Sequence, residues 1–213
     1  MRVAQQIGAR GSLKWIQRAV NDRPFLLSHP AIGGSVDWVS PLAADDYAED
    51  RDGAFLDRGG LSSLSPGLDS FWPQRGPQWD ALGLAGETVV LVEAKAHLAE
   101  LFSTCSAGDA SRALIRRSFS TVRAALGAED GLDWCSRFYQ YANRLSHLWL
   151  LREQGVDARL LLVGFVNDAD VRGPTSAAEW IAAYRILEHA LGLPPRHALS
   201  DHILHVFPDV RSL

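Results

Sequence analysis

Residues Thr88–Lys95, TVVLVEAK, form an apolar, β-branched run that ends in two charges. Such a run favours a strand, because branched side chains pack well on a pleated surface. Side chains alternate between the faces of a strand, so Val89, Leu91, Glu93 and Lys95 project to one side. An acid and an amine on a face otherwise made of aliphatic groups are costly to bury unless they are paired or hold a metal. Just upstream, residues 78–82 (QWDAL) suit a second strand, and Leu84-Ala85-Gly86-Glu87 suits a turn. The spacing predicts a hairpin in which Asp80, thirteen positions before Glu93, reaches it across the ladder.

The rest of the chain alternates helical and extended patterns. Leu13, Ile16 and Val20 recur at helical spacing after Ser12, which suits an N-terminal helix capped by that serine. SVDWVSPL is extended and ends at Pro41. Residues 44–56 start with acids and are followed by Gly59-Gly60, the punctuation of a helix. A Ser, Gly and Pro-rich loop over 61–77 carries Phe71 and Trp72. Helices are predicted over 107–126 and 132–154, ending at Gly127 and Gly155, and an amphipathic helix over 176–191. Residues 158–166 (ARLLLVGFV) read as a central strand covered on both faces, and 203–207 as a last short strand. This order predicts an α/β fold, a mixed sheet with helices packed on it.

At 213 residues, with 47% hydrophobic and 22% charged residues, the chain suits one globular domain, 1–213, and excludes disorder or a fibrous repeat. The formal net charge of −4 excludes a surface coated in basic groups, but it permits a local basic groove. The two cysteines, Cys105 and Cys135, lack zinc-type spacing and read as reduced core thiols. No stretch has signal-peptide character, and the longest aliphatic run, 160–166, is too short to span a bilayer, so a cytoplasmic protein with no membrane partner is expected. The wealth of Ala, Leu and Arg, with a single Met, suggests a GC-rich bacterial genome.

Two carboxylates and an ammonium on one patch suit phosphodiester hydrolysis. Hard oxygen donors favour Mg²⁺, which typically takes one or two carboxylates and completes its shell with water and phosphate. Trp79-Asp80, a spacer, then Glu93-Ala94-Lys95 resembles the motif of the PD-(D/E)XK phosphodiesterase superfamily, which includes restriction endonucleases, Holliday-junction resolvases and recombination exonucleases. The residue before the aspartate is Trp79 where the family name has proline. The resemblance covers about 44–166. It implies a restriction-endonuclease-like fold, a central mixed β-sheet flanked by helices, whose core runs helix, three-stranded meander, helix, strand. It implies Asp80 and Glu93 as metal ligands and Lys95 as the group that orients water or stabilises charge. Many members add an acid from the first core helix, for which Glu49 is the best candidate, with Asp46 and Asp45 as rivals. A polar helix residue beside the metal is also common, and Gln140 fits that part. The implied cofactor is Mg²⁺, with Mn²⁺ as a substitute. The implied partner is nucleic acid, DNA ahead of RNA, with a homodimer as one arrangement. The competing readings are a protein that keeps the fold and binds without cutting, and a hydrolase of small phosphate esters with a closed pocket.

Other candidates have blander readings. On the helix SRFYQYANRLSHLWLL, Phe138, Tyr141, Leu145, Leu148 and Trp149 form a core face, and Gln140, Asn143, Arg144 and His147 an opposite, solvated face. Arg112, Arg116, Arg117 and Arg123 suit a solubilising face better than phosphate contacts. His97 is expected to be structural, and His197, His202 and His205 lack partners at metal spacing.

Overall fold

The computed structural model describes residues 1–213. Its elements, in chain order, are β1 (Arg2–Val3), α1 (Gly11–Asp22), β2 (Asp37–Ser40), β3 (Glu49–Asp50), α2 (Gly53–Arg58), α3 (Ser65–Phe71), β4 (Ala81–Ala85), β5 (Thr88–Lys95), α4 (Asp109–Leu126), α5 (Tyr139–Glu153), β6 (Ala158–Gly164), α6 (Ala177–Ala190) and β7 (Ile203–Val206), joined by short 3₁₀ turns. Five strands form one mixed sheet in the order β2-β4-β5-β6-β7. β2, β4 and β5 run antiparallel as a meander, and β5, β6 and β7 run parallel. The β4–β5 turn passes through Gly86 at φ +59, a conformation that glycine adopts without a Cβ clash.

The strand period divides the core in two. Val89, Leu91, Leu160 and Leu162 face a cluster built with Ile115 and Phe119 of α4, Leu145 and Leu148 of α5, and Trp180 and Tyr184 of α6. Val90, Val92, Leu161 and Val163 face the other side, against Trp15, Ile16 and Val20 of α1. Each fully buried Leu or Val contributes about 1.5–3 kcal/mol, so both layers hold the sheet. Gly164 lets α6 come close, since a Cβ there would lie 2.7 Å from the Trp180 ring. The sheet reaches past residues 44–166 at both ends, taking in β2 and β7. No helix is long and apolar enough to cross a membrane. Cys105 and Cys135 are buried free thiols.

Several expectations are corrected. Residues 44–56 are not one helix: Asp46, Tyr47 and Asp52 have positive φ, Glu49–Asp50 pairs with Arg2–Val3, and only Gly53–Arg58 is helical. The acids that resemble a helix start serve tertiary pairing instead, with Asp45 taking the guanidinium groups of Arg2 and Arg58. Ser12 does not cap α1, whose N-cap is Arg10 without a side-chain bond. The 61–77 loop contains α3, with Pro66 in its first turn. The hairpin strand is 81–85 rather than 78–82, and α5 starts at Tyr139, after Phe138 in a left-handed conformation. The polar face of α5 is not solvated: Asn143, Arg144 and His147 are all buried.

Candidate functional site

Glu93 and Lys95 close β5 on the face toward α5, and both are buried, at 3% and 6% exposure. In the β4–β5 register Ala81 lies opposite Val92. One further step along the antiparallel pair sets Asp80 beside Glu93 on the same face. Asp80 Oδ2 accepts the Ala94 N–H at 2.7 Å, which ties the acid to β5 between Glu93 and Lys95. The structure thus brings together Asp80, Glu93 and Lys95.

Glu93 has a cation on each oxygen. Lys95 Nζ bonds Oε1, and Arg144 Nε donates to Oε2 at 2.5 Å. Arg144 comes from α5 and is itself 2% exposed. It also donates to the Gln78 carbonyl at 2.6 Å and to Asn143 Oδ1 at 3.0 Å, and its guanidinium lies over the Trp79 ring at 4.8 Å. Planar, forked and always charged, arginine suits such a buried multiple contact. Neighbouring His147 sits among Phe55, Phe71, Trp72 and Trp79 with Nδ1 on the Asn143 carbonyl at 2.8 Å, and burial pushes its pKa down to about 3.

Glu49 approaches from β3, not from a core helix. Gln78 Nε2 donates to its Oε2 at 2.5 Å, and Gln5 Nε2 at 3.3 Å. Glu49, Asp80 and Gln140 line one open cleft of about 380 Å³, together with Arg75, Gln78 and Arg144. Gln140 also lines a small space of about 10 Å³ together with Glu93 and Lys95, so it borders both the cleft and the surroundings of the ion pair. Asp45 and Asp46 do not reach the cleft.

The electrostatics follow from burial and from Glu49, Asp80 and Glu93 lying near Lys95, Arg144 and, on the cleft wall, Arg75. Burial, then the charge of Asp80, pushes the Glu49 pKa up to about 8. Burial, then the charge of Glu93, pushes Asp80 up to about 7. Burial would raise Glu93 too, but Arg144 and Lys95 beside it hold it below the usual carboxylate range. Burial would lower Lys95, but Glu93 and Asp80 keep it raised and charged. Because the Glu93 oxygens turn to Lys95 and Arg144, no three acids, imidazoles or thiolates gather into a ready cation cage. Asp80 Oδ1 and Glu49 Oε1 have no protein hydrogen bond. Two hard carboxylate oxygens on cleft-lining acids suit a divalent cation such as Mg²⁺.

The remaining candidates lie elsewhere. Arg112 donates to the Cys105 carbonyl, Arg116 pairs with Asp133, Arg123 bonds the Glu129 carbonyl, and Arg117 points to solvent. His97 Nδ1 accepts the Ala99 N–H at 2.9 Å and so caps a 3₁₀ turn. His197 accepts the Leu199 N–H in the same way. Sequence reasoning missed Arg144 and Gln78. The available signal was the composition of α5, where Ala142, Leu145, Ser146 and Leu148 leave too few charges for a surface helix.

Compared with known protein families, curated proteins and solved structures, the chain matches none of them.

Proposed function

We propose that this chain is a Mg²⁺-dependent phosphodiesterase acting on nucleic acid, a nuclease of restriction-endonuclease-like fold. The observation that carries the proposal is Asp80 set against Glu93 and Lys95 at the edge of an open cleft. The order α1, β2-β4-β5 meander, helices, parallel β6 also supports it, being the order that the PD-(D/E)XK resemblance implies. Asp80, with Glu49 and Glu93 as neighbouring acids, would hold the ion. When bound, Mg²⁺ supplies Lewis-acid charge for a phosphoryl oxygen and lowers the pKa of water. Lys95, kept charged by Glu93 and Asp80, offers fixed positive potential to the developing charge on phosphorus oxygens. Gln140, on the cleft wall, can hydrogen-bond a nucleophilic water or a backbone phosphate. The open cleft favours a polymer over a small phosphate ester. DNA is proposed ahead of RNA, with a homodimer as the means of cutting both strands.

The test is cleavage of plasmid and oligonucleotide DNA, and of RNA, with Mg²⁺ or Mn²⁺. Asp80→Asn and Lys95→Ala should each lose at least a hundredfold in rate while keeping the far-UV spectrum. Full activity in either variant rejects the assignment. A second reading, a protein of the same fold that binds nucleic acid without cutting, is favoured by Arg144 on Glu93. It requires binding of DNA with no cleavage by the wild type under either metal.

A further inference from the structure

We propose that Arg144 is a positioning residue, a resident cation that holds Glu93 back as an internal counter-ion and so restricts the entering divalent cation to the acids of the open cleft, Asp80 and Glu49. The inference rests on the phosphodiesterase reading and refines which of its acids meets the metal.

Three observations carry it. First, both Glu93 oxygens are engaged, one by Lys95 and the other by Arg144 Nε at 2.5 Å, so neither is free to coordinate without breaking a buried ion pair. Second, Arg144 is over-determined. The Gln78 carbonyl, Asn143 Oδ1 and the Trp79 ring hold its guanidinium in addition to Glu93. A group held by four partners, on β5, on the segment just before β4 and on α5 itself, does not swing aside easily, and each charge-assisted bond is stronger than a neutral one. Third, the geometry separates the acids. Glu49 and Asp80 border the cleft of about 380 Å³, which Glu93 and Lys95 do not line; these two line a separate space of about 10 Å³ together with Gln140. An ion arriving from solvent meets the free oxygens Asp80 Oδ1 and Glu49 Oε1 first.

The charge balance makes the idea testable. Glu93 and Arg144 carry opposite unit charges in one buried pair. Removing Arg144 alone makes the site more negative by one charge and frees a Glu93 oxygen. Removing Arg144 and the Glu93 charge together leaves the net charge of the site as in the wild type. Isothermal titration with Mn²⁺, on full-length protein whose folding is verified by circular dichroism, reads both cases. Arg144→Gln should bind Mn²⁺ at least tenfold more tightly than wild type, the opposite of what a purely structural arginine would do. Arg144→Lys, which keeps the charge, should return to within threefold of wild type. The charge-balanced double variant Glu93→Gln/Arg144→Gln should also lie within threefold, and it carries the test if Arg144→Gln does not fold. A tenfold loss in the double variant would make Glu93 a ligand and overturn the inference, leaving the metal reading intact. So would an Arg144→Gln protein that folds but binds no tighter than wild type. Absence of Mn²⁺ binding in wild type and both Arg144→Gln proteins overturns the inference and the phosphodiesterase reading together.

Discussion

Asp80 accepts a hydrogen bond from the Ala94 backbone N–H at 2.7 Å, so an acid just before β4 is locked to the strand position between Glu93 and Lys95. The bond replaces a ladder interaction and sets the direction of the carboxylate. Asp80→Ala leaves the Ala94 N–H without that partner in a buried strand, which costs about 1–3 kcal/mol. Asp80→Asn keeps an acceptor and should stay within about 1 kcal/mol of wild type. Urea unfolding of the two variants measures the difference; equal stabilities would mean that the bond does not position the acid.

Stability should depend on pH through the two cleft acids. Glu49 at about 8 and Asp80 at about 7 lie above the unfolded carboxylate values of about 4. The folded state therefore holds more protons, and this contribution is fully present below about pH 4 and lost as pH rises through 7 to 8. Urea midpoints should fall over that window, and Glu49→Gln should flatten the fall. Saturating Mn²⁺ should flatten it as well, because a bound cation favours the ionised acids. A wild-type midpoint that rises with pH over this window contradicts the argument.

His147 works in the opposite sense. Its folded pKa of about 3 is below the unfolded value of about 6.5, so the stability it contributes is lost as pH falls below about 6.5. His147→Phe fits the surrounding rings of Phe71, Trp72 and Trp79 and removes the titrating group. Thermal melts of this variant should lose less stability between about pH 6.5 and pH 4 than those of the wild type.

Arg144→Ala strips one of two cations from a buried carboxylate and empties the space beside Trp79. Breaking a buried pair in this way costs about 3–5 kcal/mol. Glu93→Gln/Arg144→Gln leaves no such orphan charge and should recover a large part of the loss. Chemical denaturation of the two proteins side by side provides the comparison.

Gly164→Ala tests the packing that carries α6. The new Cβ would lie 2.7–2.8 Å from Trp180 ring atoms, and the indole is also held by Nε1 on the Phe165 carbonyl at 3.0 Å. Overpacking at such a contact costs about 1–3 kcal/mol. The measured melting temperature should fall; no change would mean that α6 shifts freely.

Much of this fold is legible in local pattern. TVVLVEAK marks β5, the run from Ala158 marks β6, and Gly127, Gly155 and Gly192 stand just past their helices. These signals are short-range, because strand alternation and helix termination depend on residues a few positions apart. The same alternation places Glu93 and Lys95 on one face, and the Gly86 turn brings Asp80 back to them. Periodicity failed at DDYAED, where Asp45 pairs with Arg2 and Arg58, Asp50 with Arg58, and Glu49 with the Gln5 and Gln78 amides. It also failed on α5, whose polar side faces Glu93 and an aromatic box instead of water.

The linear order of residues therefore dictates the strands, the helices and the trio Asp80, Glu93 and Lys95, since each follows from neighbours along one element or one turn. The partner of Glu93, the route by which Glu49 reaches the cleft and the face of α5 that is buried were decided only in three dimensions. Arg144 is fifty-one positions from Glu93, and Glu49 is held by Gln5 and Gln78. Contacts between charges so far apart in the chain depend on how whole elements pack, and no local spacing encodes that.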